Sequence, residues 1–432
     1  MIRLNERKEP QHNIETEKFI DIDTLYLSLS QHTGTFSKST VSLNQKVEES
    51  QLIAEASGYI SSNLHSPVSG IIEKITYFNH PILKKNETII IRNLNEPKKY
   101  SYINDVDRFS KEILLEKIKS AGTVGLGGAV FPTHVKLNPP KKIDTLIING
   151  CECEPYLACD YRLMVEKSKE IFKGIEIVAK ILEPKAIYLG IEENKLEAIK
   201  KFNLIISTKK FNLPNVEIKV LKSSYPQGGE KQLIYSITKR KVPIGKLPFD
   251  VGCVVFNVAT VFAIFEAIYY NKPLIERIVT FAGKALKKPK NLWIKIGTTL
   301  RELFDKKVLE FCCEPTKIIF GGPMMGIAID SLDYPILKGT GGVLFLTDKE
   351  IDLRDETNCI RCARCVDICP MGLLPLEFVK HIKENFYSEL NEFYIMDCIE
   401  CGCCAYNCPA KIPIVNYIKL GKQILKDLKN ET

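Results

Sequence analysis

Two cysteine runs near the carboxyl end constrain this chain more than any other feature. CIRCARCVDICP spans residues 359–370 and CIECGCCAYNCP spans 398–409. Each reads C-x2-C-x2-C-x3-C and then proline. Three thiolates at that spacing wrap one face of an iron–sulfur cube, and the fourth reaches across to a second cube. The expectation is two [4Fe–4S] clusters with crossed ligation. Cys359, Cys362, Cys365 and Cys408 go to one, and Cys369, Cys398, Cys401 and Cys404 to the other. A zinc ribbon would want two C-x2-C pairs, without the third cysteine and the trailing Cys-Pro. Disulfides need an oxidising compartment, and the polar start MIRLNERKEP does not read as a secretory signal. Cys403 falls off the pattern and reads as a small packing residue.

The rest of the composition sets bounds. A chain of 432 residues predicts about two to four domains. Of its 15 cysteines, Cys151, Cys153, Cys159, Cys253, Cys312, Cys313 and Cys403 lie outside the two tetrads. A reduced compartment suits clusters and spare thiols alike. Net charge is +8, carried by scattered lysines. That is too sparse for a nucleic-acid stripe, and it suits acidic partners or a membrane surface. The most apolar run, 251–270, is interrupted by Asn257 and Glu266. It reads as holding a buried helix rather than a membrane span, so membrane association is expected through partners.

Taken in order, residues 1–25 read as a polar, poorly ordered lead-in. Residues 26–97 alternate apolar and polar positions between turn residues and predict a small β barrel-sandwich. Its outline resembles the biotinyl/lipoyl-carrier barrel, but the tip reads SPVSG, with no lysine to modify. A structural role is therefore expected. His32 and His65 read as ordinary structural histidines.

Residues 98–271 follow helix–strand alternation, the grammar of a parallel α/β sheet. Three polar and glycine-rich turns fall where strands end and helices begin. AGTVGLGGAVFPTHVKL, 121–137, carries Gly125, Gly127, Gly128 and Lys136, suited to a phosphate. IDTLIING runs into CECEPYLACDYRLM, placing Glu152 and Glu154 just past a strand end. The spacing of Cys151, Cys153 and Cys159 is a poor metal template. YPQGGEKQL and FNVAT supply the remaining turns. Residues 272–345 return to strands, with NLWIKIGTTLRELF among them, and 346–432 hold the cysteine runs and amphipathic helices.

These stretches together resemble a known family. ASGYISSNLHSPVSG, GGAVFPTHVKL, NGCECEPYLACDYRLM, YPQGGEKQLI, LPFDVGCVVFNVAT, IGTTLRELF, GGPMMG and both cysteine runs match the C subunit of the Rnf complex, in order from residue 30 to about 415. The Rnf complex is an ion-translocating ferredoxin:NAD oxidoreductase of bacterial membranes. The central part is similar to the FMN- and NADH-binding flavin subunit of bacterial complex I. The resemblance implies a multidomain α/β chain with a soluble ligand-binding β-grasp module over 272–345 and a two-cluster ferredoxin-like domain. It implies FMN held by Gly125, Gly127, Gly128, Lys136, Asn149, Glu152, Tyr225, Gly229, Glu230, Asn257 and Thr260. It places Phe131, Glu154 and Glu230 near the nicotinamide, with Glu230 and Glu154 as the reacting-site residues. Implied partners are the other Rnf subunits, an iron–sulfur subunit among them, and ferredoxin indirectly. The implied location is the cytoplasmic face of the cell membrane.

Two departures stand out. MIRLNERKEP replaces the family's glycine-rich N-terminal stretch, and Cys151 stands where the complex I subunit has an aspartate. Two rival readings share these modules: a soluble NADH-dependent cobalamin reductase, and a non-catalytic iron–sulfur adaptor. Domain order, with the barrel ahead of the flavin part, favours the Rnf subunit over the reductase.

Overall fold

The computed structural model describes residues 1–211 and 213–431. A short strand, β1 (Glu17–Lys18), comes first and joins a sheet formed much later in the chain. The barrel follows as two small sheets. One pairs β2 (Thr24–Ser28), β8 (Lys84–Asn93), β7 (Gly70–His80) and β4 (Lys46–Val47). The other pairs β3 (Lys38–Ser39), β5 (Leu52–Glu55) and β6 (Leu64–His65). Their inward positions, such as Leu25, Leu27, Ile53, Ile72 and Ile89, are sealed. The SPVSG tip is buried as well, so this hairpin is not a free carrier arm. His32 and His65 are buried too, and desolvation lowers their pKa values to about 4 and about 3.

The α/β unit opens with α1 (Lys111–Ser120), capped by the Ser110 hydroxyl, and α2 (Thr133–Lys136). Strand β9 (Thr145–Gly150) is followed by α3 (Cys159–Glu166) and α4 (Ser168–Leu182). Then come β10 (Ala186–Glu192), α5 (Leu196–Ser207), β11 (Val216–Leu221), α6 (Glu230–Thr238), β12 (Cys253–Asn257) and α7 (Val258–Tyr269). The run 251–270 is a buried strand and then a helix, joined at the FNVAT turn as expected. The four strands are parallel in the order β11-β10-β9-β12. Leu146, Ile148 and Phe256 pack in one cluster with α4 and α7, while Ile147 and Val255 pack with Leu233 and Ile234 of α6. A sheet buried on both faces explains the unbroken apolar runs LII, 146–148, and CVVF, 253–256.

The β-rich module is a six-stranded sheet, ordered β1-β14-β13-β17-β15-β16. Its further strands are β13 (Glu276–Ala282), β14 (Lys290–Lys295), β15 (Lys317–Phe320), β16 (Ile327–Ile329) and β17 (Gly342–Leu346). TTLRELF is not strand: Thr299 caps the helix α8 (Leu300–Asp305), its hydroxyl accepting from Glu302 N–H. The C-terminal domain contains α9 (Arg364–Asp367), α10 (Pro375–Lys383), α11 (Cys403–Tyr406) and α12 (Ile414–Glu431). Among the described residues no helix is long and apolar enough to cross a membrane.

The first 25 residues correct one expectation. They are not loose. Ile2 pairs with Tyr225, β1 pairs with β14, and Lys8 and Gln11 are 5% and 1% exposed. Polar side chains disfavour order only when they lack partners, and these reach backbone groups of the α/β unit.

Candidate functional site

The parallel sheet reverses its strand order between β9 and β12, the switch point where ligands of such sheets gather. At the carboxyl ends Asn149 lies in register between Gly190 and Asn257. Beside them stands the glycine loop. Its base is closed by Gly125 N–H donating to Phe131 O at 2.9 Å and Val130 N–H to Gly125 O at 3.1 Å. Leu126 N–H donates to the buried Thr260 hydroxyl at 2.8 Å. The tip at Gly127 and Gly128 is exposed, and Gly128 has φ +105°, a conformation L side chains rarely adopt. A Cβ on Gly127 would lie 3.3 Å from Asn257 Cβ. The bare tip thus sits against the N-terminus of α7, whose dipole favours an anion.

Asn257 caps that helix, its Oδ1 accepting from Ala259 N–H at 2.8 Å, while its Nδ2 donates to Asp160 at 2.6 Å. Asn149 Nδ2 donates to Gly228 O at 2.9 Å, so the strand end is tied to the YPQGGE turn. Glu152 is buried. Its Oε1 accepts from Asp160 N–H at 2.9 Å, and its Oε2 has no hydrogen-bond partner. Burial, and then the charge of Glu152, pushes Asp160 up to about 7. Lys136 Nζ donates to Glu230 at 2.5 Å, and both side chains remain partly exposed at the first turn of α6, whose N-cap is Gly229. A bare glycine tip at a helix N-terminus, with an orphan carboxylate oxygen nearby, fits a group carrying both a phosphate and N–H donors, as FMN does.

Two expected site residues are engaged by other segments. Glu154 accepts from Met324 N–H at 3.1 Å and Met325 N–H at 2.9 Å, and a Cβ on Gly322 would collide with its Oε2. Burial pushes its carboxyl up to about 7 despite those donors. It ties the GGPMMG turn down. Tyr225 is 1% exposed, and its hydroxyl donates to Cys401 O at 2.7 Å. Its side chain packs with Cys401 and Cys403 of the inner cysteine run. Sequence reasoning also missed Lys8 and Lys338. Lys338 is fully buried in the ILKGT stretch and donates to Asn63 O at 2.7 Å and Gly122 O at 2.8 Å, pinning the glycine loop to the barrel. Neither lysine belongs to a motif, so only tertiary neighbours reveal them.

The cysteine runs fold into each other. Besides burial, the neighbours acting on the Cys365 thiol are Cys408, Cys359 and Cys362. Those acting on Cys404 include Cys398, Cys401 and Cys369. Cys369, Cys398, Cys401 and Cys404 together line one small cavity, walled otherwise by apolar side chains such as Phe378, Val415 and Ile418. Among the described residues no three ligand-type side chains converge on a single metal ion. A cube takes each thiolate at its own iron, so a tetrad around a cavity suits it. Burial pushes Cys398 and Cys404 up to about 11 and about 12, and bound iron would hold them as thiolates. Cys359 and Cys362 are exposed, whereas Cys401 and Cys404 are buried beside Tyr225 and α12. Cys403 is 1% exposed and packs with Tyr225 and Cys401.

Comparison with known proteins agrees with this architecture. Residues 2–96 match the RnfC Barrel sandwich hybrid domain, 118–266 the Nuo51 FMN-binding domain, and 358–412 the 4Fe-4S dicluster domain. The chain is 42% identical over 411 residues to the C subunit of the proton-translocating ferredoxin:NAD(+) oxidoreductase complex of Clostridium ljungdahlii, covering 93% of this chain and 88% of that one. It is 36% identical to the C subunit of the Na(+)-translocating ferredoxin:NAD(+) oxidoreductase complex of Acetobacterium woodii, covering 93% and 90%. It is 39% identical to the C subunit of the ion-translocating oxidoreductase complex of Rhodobacter capsulatus, covering 93% and 78%. With its barrel, FMN-binding domain and dicluster domain in this order, the chain belongs to the family of C subunits of ion-translocating ferredoxin:NAD(+) oxidoreductase complexes.

Proposed function

We propose that this chain is the peripheral electron-transfer subunit through which such a complex exchanges electrons with NAD(H), on the cytoplasmic face of the cell membrane. Its immediate partner is an iron–sulfur subunit of the same complex, and ferredoxin is reached indirectly. When bound, FMN would supply the conversion between hydride and single-electron transfer, and two [4Fe–4S] clusters would supply a one-electron relay. The cavity walled by Cys369, Cys398, Cys401 and Cys404 is the observation that carries this reading.

Gly125, Gly127 and Gly128 would leave room for the FMN phosphate, with Thr260 holding the loop through Leu126 N–H. Asn149, Glu152 and Asn257 would line the ring side, where Glu152 Oε2 is free to accept an N–H. Glu230, fixed by Lys136, would orient the nicotinamide together with the half-buried Phe131. Cys359, Cys362, Cys365 and Cys408 would hold the outer cluster, whose exposed Cys359 and Cys362 suit exchange with a partner. Cys369, Cys398, Cys401 and Cys404 would hold the inner one, joined through Cys401 and Tyr225 to the nucleotide turns.

Anaerobic purification or reconstitution tests the reading by iron counting, flavin analysis and electron paramagnetic resonance. About eight irons per chain are expected. A colourless or zinc-loaded chain would overturn it. NADH-dependent ferricyanide reduction is expected of the loaded chain, and Glu230→Gln should abolish it. Undiminished activity in that variant would count against the nicotinamide placement.

A further inference from the structure

The turn from Cys151 to Tyr156 has little regular structure of its own, and Tyr156 sits at φ +67°, a left-handed conformation uncommon outside glycine. What holds it comes from the start of the chain. Lys8 Nζ donates to two carbonyls of this turn and one just past it: Glu152 O at 2.6 Å, Glu154 O at 3.0 Å and Leu157 O at 2.5 Å. The same ammonium lies 3.8 Å from Glu152 Oε2, with both side chains almost fully buried. Tyr156 N–H donates to Glu6 O at 2.7 Å, and Gln11 Nε2 donates to Tyr156 O at 2.8 Å. The left-handed residue is therefore gripped at both its backbone groups.

The same segment reaches the second nucleotide turn. Ile2 and Tyr225 exchange both backbone hydrogen bonds, at 2.8 and 2.7 Å. Ile2 and Leu4 pack with Tyr225, Cys401 and Cys403. Residues 2–11 thus touch the CECEPY turn, the YPQGGE turn and the inner cysteine run.

We propose that residues 2–11 are a strap that fixes the two nucleotide turns to each other, with Lys8 as its anchor and as a positioning residue for FMN. Curling three carbonyls around the cation that pairs with Glu152 fixes the direction in which Glu152 presents its carboxylate. Losing the cation would leave those carbonyls and a buried carboxylate without their partner, and the turn would relax. The proposal rests on the FMN reading above.

The test uses the full chain, purified without oxygen and with its clusters loaded. FMN is titrated into the flavin-depleted protein and followed by fluorescence quenching. Lys8→Met is expected to weaken FMN binding about tenfold while iron content and cluster spectra stay unchanged. Where flavin is retained, its midpoint potential should move to more negative values, because a nearby cation has gone. A variant with wild-type affinity and potential overturns the proposal. A wild-type chain that binds no FMN would instead overturn the flavin reading. The strap is then judged by hydrogen exchange in the flavin-free protein, where Lys8→Met should deprotect the amides of 151–156 and unchanged protection refutes it. Should the variant fail to fold, wild-type hydrogen exchange decides. FMN should protect the amides of 2–11 together with those of 149–157, and protection of 149–157 alone would refute the strap.

Discussion

At the scale of single residues, the nucleotide site is held by side chains that do not face a ligand. Thr260 is the clearest case. It was expected among the flavin contacts, yet its hydroxyl accepts from Leu126 N–H inside the core. Thr260→Val keeps the shape and removes the acceptor. A buried N–H left unpaired costs about 1–3 kcal/mol. The variant should therefore melt earlier and bind FMN more weakly, as read by a thermal shift and a flavin titration. No change in either would remove Thr260 from the loop's support. The thiols show the same division of labour: Cys403, one residue from Cys404, packs against Tyr225 and Cys401. Spacing already sets these two neighbours apart. It could not separate Thr260 as a ligand contact from Thr260 as a loop support, because both need a hydroxyl at the same position.

At the scale of elements, the two cysteine runs are one unit. The first run supplies Cys369 to the cavity lined by the second, and the second supplies Cys408 beside Cys365. Single substitutions should therefore act on the opposite run's cluster. Cys408→Ser is expected to damage the cluster of Cys359, Cys362 and Cys365 and spare the other, and Cys369→Ser should do the reverse. Electron paramagnetic resonance of the two reduced variants checks this, since the clusters differ in exposure and should give distinct signals. Loss of the same signal from both would contradict crossed ligation. The helix at 300–305 shows where pattern failed at this scale. IKIGTTLRELF carries the end of a strand and then a capped helix, with Gly297 at φ +97° and the Thr299 cap marking the join.

At the scale of the molecule, the barrel, the six-stranded sheet and the α/β unit meet through buried charge. Lys272 binds Glu266 and Glu276 at 2.6 Å each, and Lys295 binds Glu276 at 3.1 Å and Glu49 of the barrel at 2.9 Å. Burial would raise Glu276, but Lys272 and Lys295 hold it down to about 2, against an ordinary value of 4.5. A carboxylate depressed in the folded state stabilises above its unfolded pKa, and that contribution is lost as pH falls from about 4.5 towards 2. Glu276→Gln should cost on the order of 3 kcal/mol near pH 7 and converge with the wild type near pH 2. The readout is the difference between the two chains across pH, so acid loss of the clusters, common to both, cancels. A gap that stays constant with pH would show that Glu276 acts through packing rather than charge.

The chemistry of this protein was legible along the chain. Thiol spacing, glycine turns at strand ends and unbroken apolar runs are local signals, because cluster ligation, phosphate approach and burial on two faces each need particular residues a few positions apart. What faces what emerged only on folding. Polar residues 2–11 became a strap, Glu154 and Tyr225 became ties to the GGPMMG turn and the inner cysteine run, and Lys8 and Lys338 became buried anchors. Those roles depend on backbone carbonyls and N–H groups contributed by segments more than a hundred residues away. Every residue carries such groups, so no pattern of side chains along the chain can announce which of them will meet.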